Sequence, residues 1–388
     1  MIGQWQDQDM GGAAVTTEEW SVRADLAEAA IVTRHLRRLW GIPGTQLGVV
    51  AWPSVRRERL FLRWDYWWQA HLIDCAIDAA DREPTAVRRH RIVRITRAHR
   101  LRNLRGWTNS YYDDMAWLGI ALERAQRTQL VEHRSAIAAL EENIFESWAP
   151  EKGGGIPWCR GSDFYNTPAN GPGGIMLART GKVWRAEAMA DWIDDHLVDP
   201  DTNLIFDGIR PDRAPADTLD REIYTYCQGV VLGLETELAV RIGDPRHAER
   251  VHRLVHAVAD RLTNRGVIVG GGGGDGGLFN GILARYLALV AVMLPGHTPE
   301  DMESREIAAK IVHASATAAW ENRLEVEGQP LWGRNWSVPA VLPGYGNSLA
   351  AFTGGTVHSS DIPERDYSVQ VGGWMLMEAA YVVSAAGY

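Results

Sequence analysis

Apolar residues recur along most of the chain at spacings of three and four, which is the period of an amphipathic helix. The apolar-polar alternation typical of a strand is nearly absent. Together with the stop signals between them, these runs predict about twelve helices. The helices are predicted near residues 17–40, 64–82, 85–102, 112–130, 133–147, 170–181, 183–198, 222–242, 245–264, 279–294, 300–320 and 366–386.

The links between these helices alternate in length. Short links lie at 83–84, near 131, at 181, at 243–245 and at 295–299, and longer ones at 41–63, 148–169, 199–221, 265–278 and 321–365, with 103–111 the briefest of the long set. Helices joined by a short link pack as antiparallel neighbours, so the pattern describes six stacked hairpins. We therefore predict an all-α fold, an (α/α)6 toroid. No Pro/Ser-rich linker or charge run divides the chain, and we expect a single domain over residues 1–388.

This topology brings every long link to one end of the toroid, where function is expected to collect. Residues that are unusual in a plain helical core recur there, at the starts of the even-numbered helices. They include Trp64, Trp67 and Trp68, the run from Asn109 to Asp114, Asn170, Tyr226 with Gln228, and Asn280.

The composition is that of an ordinary globular chain, with 388 residues, 46% hydrophobic and 23% charged. Its net charge of -9 argues against nonspecific binding to nucleic acid or to an anionic membrane. Seventeen Trp against six Phe is an unusual balance, and flat amphipathic rings are suited to stacking on sugars.

Three cysteines, Cys75, Cys159 and Cys227, lie far apart and form no CxxC pair, so we interpret them as buried free thiols. The first twenty residues lack the basic and apolar regions of a signal peptide, and no apolar stretch approaches the roughly 18 residues of a membrane span. The sequence thus favours a cytoplasmic location. It leaves the oligomeric state open.

Asp113 and Asp114 are consecutive acids beside Tyr111, Tyr112 and Trp117. One acid at a helix start can serve as a cap. A second one among aromatic rings is desolvated and repelled by its neighbour, and both effects raise its pKa and keep it protonated, as a general acid requires.

Glycosidases need two carboxyl groups. Adjacent residues can place theirs about 5 Å apart, as in retaining enzymes, whereas inverting pairs stand roughly 6.5 to 9.5 Å apart, so the spacing permits retention without establishing it. Magnesium-diphosphate binding by the same pair is disfavoured, because no third acid stands at the expected place.

Seven stretches of the chain together resemble one known family, glycoside hydrolase family 76, the bacterial and fungal endo-α-1,6-mannanases. They occur in the family's order over roughly two-thirds of the chain. They are YWWQAHLIDCAID from Tyr66, YYDDMAWLGIALERA from Tyr111, GGGIPW from Gly153, NTPANGPGGIMLAR from Asn166, LIFDGI from Leu204, YTYCQGVVLGLETEL from Tyr224 and LFNGILARYLALV from Leu278.

The resemblance implies an (α/α)6 barrel that hydrolyses internal α-1,6-mannosidic bonds with retention, on mannan or mannooligosaccharides. It makes Asp113 the nucleophile and Asp114 the acid/base, and it implies no metal or organic cofactor. The chain departs from the family at Cys227, where Asn is frequent, and at Asn280, where Lys is frequent.

Eleven further residues are candidates for substrate binding. Trp64, Trp67 and Trp68 cannot all face one core, and Trp158 follows a run of glycines in a loop. Asn170 would also serve as a helix cap, Asp207 as part of an Asp-Gly turn, and Tyr226 as core packing. The remaining candidates are Asn109, Tyr112, Gln228 and Asn280.

Three other features are better explained without a ligand. The glycine run 270–274 lacks a Gly-Lys-Ser/Thr ending, so it predicts a mobile rim loop and no phosphate site. The histidines show no metal-binding spacing. The arginine-rich stretch 88–105 predicts a solvated face on an outer helix and no nucleic-acid site.

Two alternative functions stay open at this point. A sugar isomerase or epimerase on the same fold would use a His or another base, and no paired-His groove is evident. A non-catalytic carbohydrate-binding protein would keep the groove without turnover.

Overall fold

Helices dominate the computed structural model, which describes residues 15–214, 218–344, 351–353 and 356–388. The helices are α1 (Thr17–Arg34), α2 (Arg56–Arg59), α3 (Tyr66–Arg82), α4 (Ala86–Arg102), α5 (Tyr112–Arg127), α6 (Arg134–Glu146), α7 (Thr167–Arg179), α8 (Val183–Leu197), α9 (Thr225–Ile242), α10 (Pro245–Arg261), α11 (Gly276–Met293), α12 (Pro299–Asn322) and α13 (Tyr367–Ala385).

Six of these helices form a closed inner ring. Helices α3, α5, α7, α9, α11 and α13 pack against each other in chain order, and α13 closes the ring on α3. An outer helix covers each of them: α4 on α3, α6 on α5, α8 on α7, α10 on α9, α12 on α11 and α1 on α13. The predicted all-α (α/α)6 toroid of six hairpins is confirmed.

Helices α9 and α10 show how a sequence can fit the inner and the outer ring. The outer helix α10 buries residues at helical spacing along one side, among them Val251, Leu254, Val255 and Val258. The inner helix α9 is buried nearly all round, from Thr225 to Ala239. Apolar side chains on every face are expected of a helix enclosed by neighbours on all sides.

Several helix bounds differ from the predicted ones, and one short helix was not predicted. Helix α1 ends at Arg34, six residues early, because Leu36–Arg37 pairs as a strand. Helix α7 begins at Thr167, where the Asn166 side chain caps the Ala169 N–H and Pro occupies the first turn. The four-residue helix α2 is too short to give a periodic signal.

Short antiparallel strands lie in the long links. The sequence pattern did not predict them because two or three residues are too few to show a period. The pairs are β1 (Leu36–Arg37) with β2 (Leu47–Gly48), β3 (Tyr165–Asn166) with β4 (Gly208–Ile209) and β4 with β5 (Leu219–Asp220), β6 (Thr263–Asn264) with β7 (Val267–Ile268), β8 (Leu324–Val326) with β9 (Gln329–Leu331), and β10 (Ala351–Thr353) with β11 (Thr356–His358).

A buried carboxamide fastens four of the long links to the inner ring. In each case the fourth residue of the inner helix bonds both the N–H and the C=O of one residue in the link before it, and also a carbonyl near the helix start. These carboxamide clamps are Gln69 on Gly48, Asn170 on Ile156, Gln228 on Ile205 and Gln370 on Trp332. The links are therefore held in fixed places over the inner ring.

One helix in the described part of the chain, α11, is long and apolar enough to cross a bilayer by length and composition. It packs between α9 and α13, and 61% of it is buried inside the fold. Its position is that of a core helix.

Candidate active site

A groove of about 970 Å³ opens where the long links emerge. Its lining comes from the links and from the first turns of the inner helices, as the topology predicted. Eight of the predicted site residues line it: Trp64, Trp67, Asn109, Asp113, Asp114, Trp158, Asp207 and Tyr226.

Asp113 lies in the first turn of α5, with both carboxyl oxygens engaged. The indole N–H of Trp158 donates to Oδ2 at 3.0 Å, and the backbone N–H of Asp114 donates to Oδ1 at 2.8 Å. Donors of this kind favour the ionised carboxylate and fix its orientation.

Asp114 is held from the other side. The Nδ2 of Asn109 donates to Oδ2 of Asp114, and the Oδ1 of Asn109 accepts from the Tyr111 N–H at 2.9 Å. The second bond fixes which end of the amide faces the carboxyl, since only the oxygen can accept from the backbone. One oxygen of Asp114 thus has a donor, and the group is aimed into the groove.

Burial raises the pKa of both carboxyls above the usual range. For Asp113 the two hydrogen bonds oppose this rise. For Asp114 the charge of Asp113 adds to the effect of burial and drives the pKa well above its ordinary value, while the bond from Asn109 opposes this rise. The arrangement favours an ionised Asp113 beside a protonated Asp114.

Two further acids, which the sequence did not single out as site residues, line the same groove. Asp275 precedes α11 and accepts from the indole N–H groups of Trp67, at 3.1 Å, and Trp68, at 2.9 Å. Asp65 precedes α3 and forms a 3.0 Å ion pair with Arg63, and burial raises its pKa to about 7. Both stand at an inner-helix start, the position that already marked Asp113 and Asp114.

Asp207 lines the groove from the link before α9. Its Oδ1 is buried without a hydrogen-bond partner among the described residues. Burial, together with the charge of Asp220, raises its pKa to about 7, against the opposing charge of Arg210. Such an orphaned acceptor is suited to a hydroxyl group of a ligand.

Stacked rings form one wall of the groove. The rings of Tyr226 and Phe279 lie 4.0 Å apart and 15° from parallel, and Tyr224 packs edge-on to Phe279 at 5.4 Å. Trp64, two residues before α3, and Trp67, in its first turn, also line the groove.

Trp68 does not reach the groove, so its prediction as a substrate contact is wrong. It is fully buried, and its indole N–H donates a hydrogen bond to Asp275. Asn170 and Gln228 are corrected likewise: both are fully buried as carboxamide clamps. Polar residues at the helix starts were recognised, but their spacing did not reveal which ones turn into the core.

Asn280 and Tyr112 also lie outside the groove lining. Asn280 is 4% exposed, and its Oδ1 accepts from the Thr225 hydroxyl at 2.8 Å. Tyr112 is half-buried against the core, and its backbone N–H donates to the Trp158 carbonyl at 3.0 Å. The predicted substrate contact of Asn280 is wrong because its side chain is buried, whereas that of the half-buried Tyr112 stays a prediction.

The glycine run near 270–274 lies at the groove rim, and part of it packs closely against the chain between α12 and α13. A Cβ on Gly271 would come within 2.0 Å of the Arg334 carbonyl oxygen, and one on Gly274 within 2.0 Å of the Val357 oxygen. The Gly274 N–H also donates to buried Asp366 at 2.7 Å. Gly271 and Gly274 thus permit close packing against Arg334 and Val357, and the mobility of the run stays a prediction.

Cys75 and Cys227 are buried free thiols, and Cys159 is half-buried. Within the described residues no three His, Cys, Asp or Glu side chains are grouped so that they could hold a metal ion.

The model of one protein family, glycosyl hydrolase family 76, matches residues 24–360. No curated protein sequence matches the chain.

Solved structures of this family superpose on the fold. The α-1,6-mannanase of Salegentibacter sp. HEL1_6 is 26% identical, with a TM-score of 0.77 over 94% of this chain and 99% of that one. An inactive variant of that enzyme, with two consecutive aspartates changed to asparagine, was solved with α-1,6-mannotriose. It is 25% identical, with a TM-score of 0.76 over 94% of this chain and 99% of that one. A family 76 mannosidase of Bacteroides thetaiotaomicron gives 14% identity and a TM-score of 0.66 over 94% and 98% of the two chains.

Proposed function

The chain belongs to glycosyl hydrolase family 76, and we propose that it hydrolyses α-1,6-mannosidic bonds with retention of anomeric configuration, through Asp113 and Asp114. The hydrolase class follows from the family. The substrate, the stereochemistry and the roles of the two aspartates are the proposal.

The observation that carries the proposal is the unequal environment of two consecutive carboxyls in one groove. Asp113 accepts two N–H bonds, which stabilise its charged form. The pKa of Asp114 is raised by burial and by the neighbouring negative charge, which stabilise its protonated form. A retaining glycosidase needs one carboxyl in each of these states.

In the first step an oxygen of Asp113 attacks the anomeric carbon, and Asp114 gives its proton to the departing glycosidic oxygen. A mannosyl ester of Asp113 and a free sugar hydroxyl result. In the second step Asp114, now ionised, takes a proton from water as the water oxygen attacks the anomeric carbon and releases Asp113. Both carboxyls end in their starting states, and the two inversions give overall retention.

The choice of substrate rests on two lines of support. The groove combines an aromatic wall with several oxygen acceptors, a lining suited to neutral sugars. A family member 25% identical to this chain was solved with α-1,6-mannotriose.

The test is the product profile from linear α-1,6-mannohexaose, with α-1,2- and α-1,3-linked oligomers as controls. We expect shorter α-1,6-mannooligosaccharides from the wild type and none from Asp113→Asn or Asp114→Asn. Conversion of free mannose to another sugar would favour an isomerase or epimerase. Binding of the hexaose without products, unchanged by Asp114→Asn, would favour a non-catalytic binding protein.

A further inference from the structure

Arginine is concentrated in two segments of this acidic chain. Residues 35–64 and 84–112 contain fourteen of its 40 basic residues and only one of its 49 acidic residues, Glu58. That acid is buried in an ion pair with Arg365, at 2.8 Å. The net charge of -9 therefore conceals a strongly positive region.

The fold brings the two segments together. The Gln46 N–H donates to the Arg94 carbonyl at 3.2 Å, and the Arg102 Nε donates to the Phe61 carbonyl at 2.8 Å. Beneath them Leu39, Leu47, Val49, Phe61 and Ala98 form a small core of their own. We define the exposed residues of 37–63 and 93–105 as the basic face.

The arginines of the basic face are available to a ligand. Nine of them are exposed, and none forms an ion pair with a carboxylate in the described part of the chain. They are Arg37, Arg38, Arg56, Arg57, Arg59, Arg94, Arg97, Arg100 and Arg105. Three of these, with Trp107 and His133, line a cavity of about 720 Å³ between α4 and α6.

Large apolar side chains project from the same face. Leu104 is 90% exposed, Leu62 71% and Trp40 51%. The backbone at Leu104 and Arg105 is left-handed, with φ of 52° and 67°, which is uncommon for residues other than glycine. Leu104 is thus exposed at a loop tip, between Arg102 and Arg105 in the sequence.

We propose that the basic face docks on the surface of an anionic phospholipid bilayer. Guanidinium groups bind lipid phosphates in a bidentate manner, and exposed leucine and tryptophan insert at the level of the headgroups. A nucleic acid would use the arginines but would leave the projecting leucines without an apolar partner. The inference stands on the face itself and does not depend on the proposed function.

Leu62 of the basic face lines the groove, together with the half-buried Arg63 and Arg102 beside the face, so the face borders the groove rim. A docked molecule would hold its groove beside glycans carried on the same membrane.

Cosedimentation of the whole chain with vesicles tests this. Vesicles of phosphatidylcholine with about one-third phosphatidylglycerol are compared with phosphatidylcholine alone, at low salt and in 0.5 M NaCl. We expect binding to the anionic vesicles only, weakened by salt because the attraction is partly electrostatic. Equal partition into both vesicles, or into neither, would overturn the proposal.

Variants then locate the surface. Arg97→Gln, Arg100→Gln and Arg105→Gln together should weaken vesicle binding at least tenfold, since each basic residue near an anionic surface contributes roughly fivefold. Leu104→Asn should weaken vesicle binding severalfold without a change of charge. Asparagine is chosen because it tolerates a left-handed backbone. None of the four residues lines the groove, so hydrolysis of a soluble oligosaccharide should be kept.

The control removes the same charge elsewhere. Arg127, Arg213 and Arg246 are about half exposed and each already pairs with an acid. Their triple change to Gln should leave vesicle binding within twofold of the wild type. An equal loss in this control, or tighter binding to duplex DNA than to vesicles at the same salt, would overturn the assignment.

Discussion

The indole N–H of Trp158 lies 3.0 Å from Oδ2 of Asp113 and donates a hydrogen bond to it. Trp158 belongs to the link before α7, whereas Asp113 belongs to α5, so the bond joins two neighbouring hairpins at the groove. It helps to hold the proposed nucleophile ionised despite the burial that raises its pKa.

Trp158→Phe removes that donor and keeps an aromatic ring. The pKa of Asp113 should then rise further, and because the nucleophile must be ionised, the acid limb of the kcat/KM profile should move up by about one pH unit. Activity should fall at least tenfold at pH 5.5 and much less at pH 8. Trp184→Phe, at an exposed outer-helix position, is the control. A profile that only scales down at every pH would contradict the account.

Asp114→Ala separates the two steps. A mannoside with an acidic phenol as leaving group needs little protonation, so its first step should persist while the second becomes slow. Added azide, which needs no general base, should raise turnover and give α-mannosyl azide. In Asp113→Ala the azide would attack from the opposite face and give the β-azide. If both variants gave the same anomer, the assigned roles would be wrong.

Asp207→Asn tests how far the buried charge of Asp207 lowers the free energy of unfolding. The pKa of Asp207 is raised to about 7 in the fold, above its value in the unfolded chain. Between about pH 4 and 7 the folded state therefore binds more protons, and this group lowers stability as pH rises. The variant should match the wild type near pH 4 and gain about 1 to 2 kcal/mol at pH 8.

Urea unfolding at the two pH values measures this difference. Asp199→Asn is the comparison variant. Asp199 lies in the 198–205 turn of the same link, and its side chain accepts a hydrogen bond from the Thr202 hydroxyl. A gain at Asp207 that is equal at both pH values would show that burial of the charge is not its cause.

Gln228→Leu removes one carboxamide clamp. The N–H and C=O of Ile205 would be left buried without partners, at a cost of about 2 to 4 kcal/mol in the free energy of unfolding. Because Ile205 lies two residues before Asp207, KM should also rise. Asn143→Ala, at a half-buried amide on the outer helix α6, should cost under about 1 kcal/mol. A Gln228→Leu variant as stable as the wild type would show that the clamp is dispensable.

The ring of helices could be predicted because apolar residues recur at helical spacing, whether on one side of a helix or all round it, and because links of alternating length order the helices. Helix α10 shows the one-sided pattern and α9 the all-round pattern. The end of α1 was missed because Leu36 and Arg37 continue the helical pattern, while their pairing with β2 depends on a distant segment.

The positions of the site residues along the chain could be predicted, but the directions of their side chains could not. Asp113 and Asp114 stood out as consecutive acids among aromatic rings. Gln228 and Trp68 share their position at an inner-helix start but turn into the core, which a spacing of one or two residues does not reveal. Asp275 was overlooked because its glycine-rich surroundings indicated a loop, although it precedes an inner helix as Asp65 does.

The most direct test is proton NMR of the anomeric signals during hydrolysis of α-1,6-mannotetraose by the wild type. The account predicts that the α-anomer of the new reducing end forms first and then mutarotates, and that Asp113→Asn and Asp114→Asn, folded by circular dichroism, form none. A β-anomer formed first, or turnover that survives in either variant, would contradict double displacement by this pair of aspartates.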